Sequence, residues 1–450
     1  MIRARLSKLL NVAPGEWKLV LALFVLFVID TLVLELSDVV ATAGFISQVG
    51  ASGILWLWVI DMLITLIVTS AFASVIDRMS RVKLMAWLLG GLTALYLVLQ
   101  ILFHAGAPSW LTYPALYILA DVQLSVFPLI FWTLANDVYS MSDGKRLFPV
   151  IGAGSALGSI LGNGLAAGAA VVIDQSGGSE LNLLIVAAAL LVSGIPVLWF
   201  AFRHQTIRAR QARDPQASVR ETMRVGTDFF KNVPFFKYLA VVMLLAGLAL
   251  TIVEYNFLSV TEQSLTTDLQ FQAFYGTYKL VLIVSVFLGQ SVLTGRLLKK
   301  VPVKNAFMVL PVTLVIVAGG MLLVPGLLGA ALGRFLARLI QRGWDDLARK
   351  SVQGMIPDER RGRVSIMMDS YFYTIATLVG CLTLGALQLA ASLGWLPADG
   401  AVAVYLVIVA IAAIGAVVAS LRMRSLYESS LLNWRLARAR RKSVLDGLEF

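Results

Sequence analysis

The chain has 450 residues, of which 59% are hydrophobic and 14% charged, against about 25% charged residues in soluble domains. Its mean hydropathy of +0.83 leaves too few polar side chains to cover a water-facing shell, which excludes a soluble globular fold. The net charge of +11 would suit nucleic acid, but the basic residues lie between apolar runs rather than on one basic domain, so no nucleic-acid partner is expected.

Crossing ~30 Å of hydrocarbon takes about 20 apolar helical residues. Runs of that kind lie near 17–42, 52–76, 83–104, 110–138, 148–173 and 181–202, and again near 236–260, 270–295, 304–325, 327–348, 364–392 and 400–421. The first run carries Asp30, Glu35 and Asp38 and no small-residue cleavage site follows it, so it reads as a retained span rather than a signal peptide. The run 327–348 is the weakest, because it contains Arg334 and Arg338 with Arg342 near its end. Cys381 is the single cysteine and lies inside an apolar run, so neither a disulfide framework nor a thiolate metal cluster is expected. No cofactor is expected.

The expected fold is therefore an all-α integral membrane protein of about twelve transmembrane helices in two six-helix bundles. The expected divisions are an N-terminal bundle over 1–202, a basic linker over 203–235, a C-terminal bundle over 236–422 and a basic tail over 423–450. Lys and Arg mark the cytoplasmic loops of membrane proteins. With the N-terminus inside, as Arg3, Arg5 and Lys8 suggest, the inside loops carry Arg78, Arg81 and Lys83; Lys145 and Arg146; the linker arginines; Lys299 and Lys300; and Arg360, Arg361 and Arg363. The opposite loops (43–51, 105–109, 174–180, 261–269, 393–399) contain no Lys or Arg. Both termini are expected in the cytoplasm of a bacterial cell, with the protein in the inner membrane. Residues Trp434 to Lys442 have the composition of a basic helix on an anionic leaflet.

The halves echo each other. Asp77–Lys83 after span 2 has a degenerate counterpart in Leu298–Lys304 after span 8, and Asp143–Arg146 after span 4 has one in Asp358–Arg361. Glu35 in span 1 matches Glu254 in span 7. Parallel six-helix repeats are a recurrent transporter plan.

Asp77-Arg78-Met79-Ser80-Arg81-Val82-Lys83 is similar to the loop 2–3 signature of the major facilitator superfamily, and Met355–Arg363 resembles that superfamily's loop between spans 10 and 11. Phe131-Trp132-Thr133-Leu134-Ala135-Asn136, followed by Lys145–Gly158, resembles the nucleotide transporter (ATP/ADP translocase) family. The likeness continues at Glu254, at Ala273-Phe274-Tyr275-Gly276 and around Trp344-Asp345. It implies a major facilitator-like secondary active transporter with alternating access, acting on a small molecule such as a nucleotide or organic anion. In nucleotide exchangers span 1 carries an Arg-Asp-x-Lys-Asp pattern; here the window reads Leu34-Glu35-Leu36-Ser37-Asp38, keeping the acids and losing both cations. The lysine that the family places after its span-7 Glu is replaced by Leu258. A triphosphate needs cations to offset its charge, so a different organic solute is expected.

Charge inside a span is costly and marks function by default. The substrate and coupling candidates are Glu35, Asp38, Asp61, Asp121, Glu254, Lys279, Arg334 and Arg338. The acids suit coupling to protons or another ion; the competing role is to neutralise the three cations. Asp30 and Asp369 are read as solvated or capping near span ends. The cytoplasmic candidates Asp77, Arg78, Arg81, Lys145, Arg146, Arg361 and Arg363 suit a charge network that closes a gate. Gly152, Gly154, Gly158, Gly162 and Gly164 in span 5 have the small-xxx-small spacing of close helix contact. Gly154–Gly158 is not a phosphate loop, since no Lys-Ser/Thr follows and no strand precedes it. No metal-spaced His/Cys set and no nucleophile–base pair points to an enzyme. A lipid or lipid-linked flippase and a transport-inactive membrane scaffold are the alternatives.

Overall fold

A computed structural model describes residues 12–13, 15–75, 79–139, 141–176, 182–203, 219–265, 267–294, 301, 303–353, 356, 364–395 and 398–446. Among the described residues, eleven helices are long and apolar enough to cross a membrane. The weakest predicted span is the one that falls short. Its helix, Leu327–Ile340, runs on through a wide π-type turn at Gln341–Asp345 into a further helix, Asp346–Gln353. Two arginines within fourteen residues keep it below the apolarity of a simple span.

The chain divides into two compact units. The first comprises Met1–Gln216 and Thr261–Val284. It holds α1 (Trp17–Gln48), α2 (Ile54–Val75), α3 (Arg81–His104), α4 (Ser109–Val138), α5 (Met141–Ser176) and α6 (Leu183–Phe202). The last turn of α7 (Pro234–Ser264) and most of α8 (Asp268–Leu288) also belong to this unit.

Helix α1 is its centre, packing against α4, α5 and α6. It is buried nearly all round, so its sequence shows no apolar stripe, as expected of a helix with no solvent face. Close contact with α5 depends on three glycines four residues apart. A Cβ at Gly154, Gly158 or Gly162 would stand 2.6, 2.6 or 2.5 Å from the carbonyl oxygens of Phe24, Val28 and Leu32. Only hydrogen at those positions lets the two backbones meet. Gly276 of α8 plays a similar part against α5, where a Cβ would lie 3.0 Å from the Ala167 nitrogen.

The second unit comprises Ala217–Val260 and Ser285–Phe450. It holds most of α7, then α9 (Val309–Leu323), α10 (Leu327–Ile340), α11 (Phe372–Ser392) and α12 (Ala398–Asp446). Here glycines set side-chain contact between α7 and α11: a Cβ at Gly247 would lie 2.6 Å from Ala376 Cβ, and one at Gly380 2.8 Å from Thr251. The helix Val219–Asn232 precedes α7 and buries Phe229 and Phe230 against Phe236 and Phe372. Helix α12 runs 49 residues, about 74 Å at 1.5 Å per residue, well beyond its apolar stretch Val402–Leu426. The predicted helix at Trp434–Lys442 is thus present in the backbone; its side chains lie outside the described residues.

Large apolar side chains such as Trp87, Ile101, Leu323 and Trp395 are turned outward. In water they would be a liability, whereas in hydrocarbon they are at no disadvantage.

Candidate functional site

The predicted substrate and coupling residues gather into three centres, two in the first unit and one in the second. In the first unit the α1–α5 contact sets the stage. Gly162 leaves room for Glu35, whose Cβ would be 2.9 Å from a Cβ there, and Ser159 one turn away donates a 3.1 Å hydrogen bond to Glu35 Oε1. Glu35 and Asp38 lie three residues apart on one face of α1, and Lys279 of α8 reaches both. Its Nζ is 2.6 Å from Glu35 Oε2 and 2.6 Å from Asp38 Oδ2. The Tyr275 ring lies one turn back, 5.8 Å from the ammonium.

The second centre pairs Asp61 of α2 with Asp121 of α4. The two carboxyls are electrostatic neighbours, and Thr65 donates to Asp121 Oδ2 at 3.3 Å. Asp61 is buried, 1% exposed.

The third centre lies in the second unit. Arg334 and Arg338, four apart on α10, converge on Glu254 of α7. Arg334 Nη2 is 2.5 Å from Oε1, while Arg338 Nη2 is 2.9 Å and Nε 3.1 Å from Oε2. Arg334 also lies over the Phe257 ring at 4.5 Å, and Arg338 Nη1 donates to Gln341 Oε1 at 2.8 Å. Among the described contacts one carboxylate thus meets two guanidinium groups, one positive charge more than it neutralises. The α1–α8 centre is the reverse, two acids against one ammonium.

The sequence offers Lys279, Arg334 and Arg338 to substrate; in the structure each is engaged by a carboxylate of its own unit. Asp30 departs further from the sequence reading. It is 1% exposed rather than solvated, and Gln123 Nε2 donates to its Oδ1 at 2.9 Å and its carbonyl at 3.0 Å. Tyr96 in turn donates to Gln123 Oε1 at 2.9 Å. Position in the apolar run misleads here, because α1 extends 32 residues and leaves Asp30 inside the packed bundle. Asp369 is exposed, with Gln353 donating to both its oxygens at 3.0 Å.

Of the gate candidates, Asp77, Arg78, Arg361 and Arg363 and the side chain of Lys145 lie outside the described residues. Arg81 pairs with Asp137 at 3.3 Å. Arg146 forms a two-pronged contact with Glu16 and reaches Asp143 at 2.9 Å. These hydrogen bonds hold the Glu16 carboxyl below its ordinary value of 4.5. Sequence reading missed Glu16 and Asp137, whose only signal is an acid at a span end beside a basic loop.

The chain of apolar helices has the major facilitator fold that solved membrane transporters share. The solved structures agree on that fold. The nucleoside transporter NupG has 12% identity and a TM-score of 0.64, covering 91% of this chain and 99% of its own. A bacterial homologue of the iron transporter ferroportin, inward-facing, has 17% identity and a TM-score of 0.63, covering 92% and 100%. A bacterial homologue of the human lysosomal transporter Spinster has 14% and 0.60, covering 94% and 98%. Residues 105–325, just under half of the chain, are similar to the TLC ATP/ADP transporter family. No curated protein matches the chain in sequence.

Proposed function

We propose that this protein is a secondary active transporter for an organic solute of low negative charge, working by alternating access and coupled to protons. The observation that carries the reading is the charge balance of the two ion-paired centres. The single described cation of the α1–α8 centre is taken by two acids, and the Glu254 centre has one positive charge to spare. One surplus charge matches a monocarboxylate or similar monoanion; a nucleoside triphosphate would bring about four negative charges to a site without the cations to meet them. This departs from the substrates named by the family's description. The neighbouring carboxyls of Asp61 and Asp121 support protons as the coupling ion, since two like charges at one place favour a proton on one of them. The loop charges support both termini on the cytoplasmic side of a bacterial inner membrane.

The test is uptake by purified protein in liposomes, with labelled lactate, pyruvate and pantothenate as monoanions and ATP as the contrast. Arg338→Gln removes the surplus charge yet leaves the Glu254–Arg334 pair neutral, so folding is retained. Uptake of at least one monoanion is expected, with loss of tenfold or more in Arg338→Gln. Uptake unchanged in that variant would sink the assignment. Glu254→Gln is a poorer probe, because stranding two buried guanidinium groups costs about 3–5 kcal/mol and endangers the fold.

A further inference from the structure

We infer that the groove between the first turns of α1 and the last turns of α6 is a binding site for an anionic glycerophospholipid. The groove encloses about 690 Å³, within the roughly 300–1,000 Å³ of small-molecule sites. Leu21, Val25 and Phe200 form its apolar walls, and the small side chains of Ala22 and Ala201 leave the space between them. The helices themselves touch deeper in, where a Cβ at Gly194 would lie 3.3 Å from Leu26. Such a groove lies on the outer surface of two membrane-crossing helices, so its natural solvent is lipid and its natural occupant an acyl chain.

Charge at one end selects the headgroup. Lys18 lines the groove one residue into α1 and is exposed. Arg203 closes the end of α6, is exposed, and lies over the Trp199 and Phe200 rings at 5.2 and 5.3 Å. Because α1 starts where α6 stops, both cations stand at the same end, at the level of the aromatic Trp17 and Trp199. Aromatic rings and long basic side chains at one depth are what the headgroup boundary selects. An acyl chain in the groove would bring its phosphate to Lys18 and Arg203. The site is independent of the transported solute.

Native mass spectrometry of the full chain, with phosphatidylglycerol and phosphatidylcholine of identical acyl chains, tests this directly. Each cation near an anionic headgroup is worth about fivefold, so a preference for phosphatidylglycerol of roughly 20–30-fold is expected. Lys18→Gln with Arg203→Gln should bring the preference close to one while leaving phosphatidylcholine retention unchanged. Ala22→Trp, which fills the groove, should lower retention of both lipids. The inference is overturned if the parent protein retains both lipids equally or if the double variant keeps the parent's preference, which would assign it to the loop cations. Unchanged retention in Ala22→Trp overturns it as well.

Discussion

The Asp61–Asp121 pair shows how much a single proton decides. Without it, two neighbouring carboxylates would repel at a buried position; with it, that repulsion is gone. Asp61→Asn removes the proton site and keeps the shape. Accumulation driven by a pH gradient should vanish in that variant while exchange of solute across the membrane at equal pH persists; accumulation that survives would assign the pair a structural role. Glu16 gives a second residue-scale test, with the sign fixed by its lowered titration. A carboxyl depressed in the folded protein adds stability above its ordinary value and loses it as the pH falls through the folded value. The melting temperature of the parent should therefore fall on acidification below about pH 4.5 more steeply than that of Glu16→Gln, by a small margin because the pair is part-exposed. Identical acid limbs would show that the Arg146 contact adds nothing. Types and spacings made these residues legible: Glu35 with Asp38 on one face, Arg334 with Arg338 on another, and Glu254 as repeat mate. Partnership was not legible. Nothing in a linear sequence says that Lys279 spans 241 positions to Asp38, or that Asp30 faces Gln123.

At the scale of helices, the α1–α5 contact positions the first centre. Gly158→Val would drive its side chain into the Val28 carbonyl, 2.6 Å from the Cβ, and should destabilise the protein by more than about 2 kcal/mol, the upper part of the range for overpacking. Gly168→Ala on the same helix meets nothing within 4 Å and should be neutral or stabilising by up to about 1 kcal/mol. Equal effects of the two, read by thermal unfolding, would mean that the glycine spacing reflects composition rather than contact. Four-residue glycine spacing was visible in the sequence because backbone approach needs a missing side chain wherever it occurs. The partner of the stripe was not visible, since α1 is buried nearly all round along most of its length and offers no periodic face. Span 10 was legible as the weak run for the same reason that it fails as a simple span: its arginines serve Glu254 rather than the lipid.

For the whole molecule, hydropathy and loop charge do most of the specification. Apolar runs separated by loops that alternate between basic and free of Lys and Arg can satisfy the bilayer only as an all-helical polytopic protein. A cysteine at position 107, in an uncharged loop, should react with a membrane-impermeant maleimide on intact cells, and one at position 212, in the basic linker, only after permeabilisation. The native Cys381 is buried and should stay silent. Reversed labelling would overturn the orientation. Cargo is the property least legible in sequence, because it depends on net charge in assembled centres: the family's motifs survive around spans 4 and 5 while the span-1 cations are gone. Competition in liposomes tests that central point most directly. Unlabelled monoanion should displace labelled monoanion uptake in the parent protein, and ATP at the same concentration should not. Strong competition by ATP, lost in Arg338→Gln, would contradict the charge-balance reading and return the protein to the nucleotide exchangers.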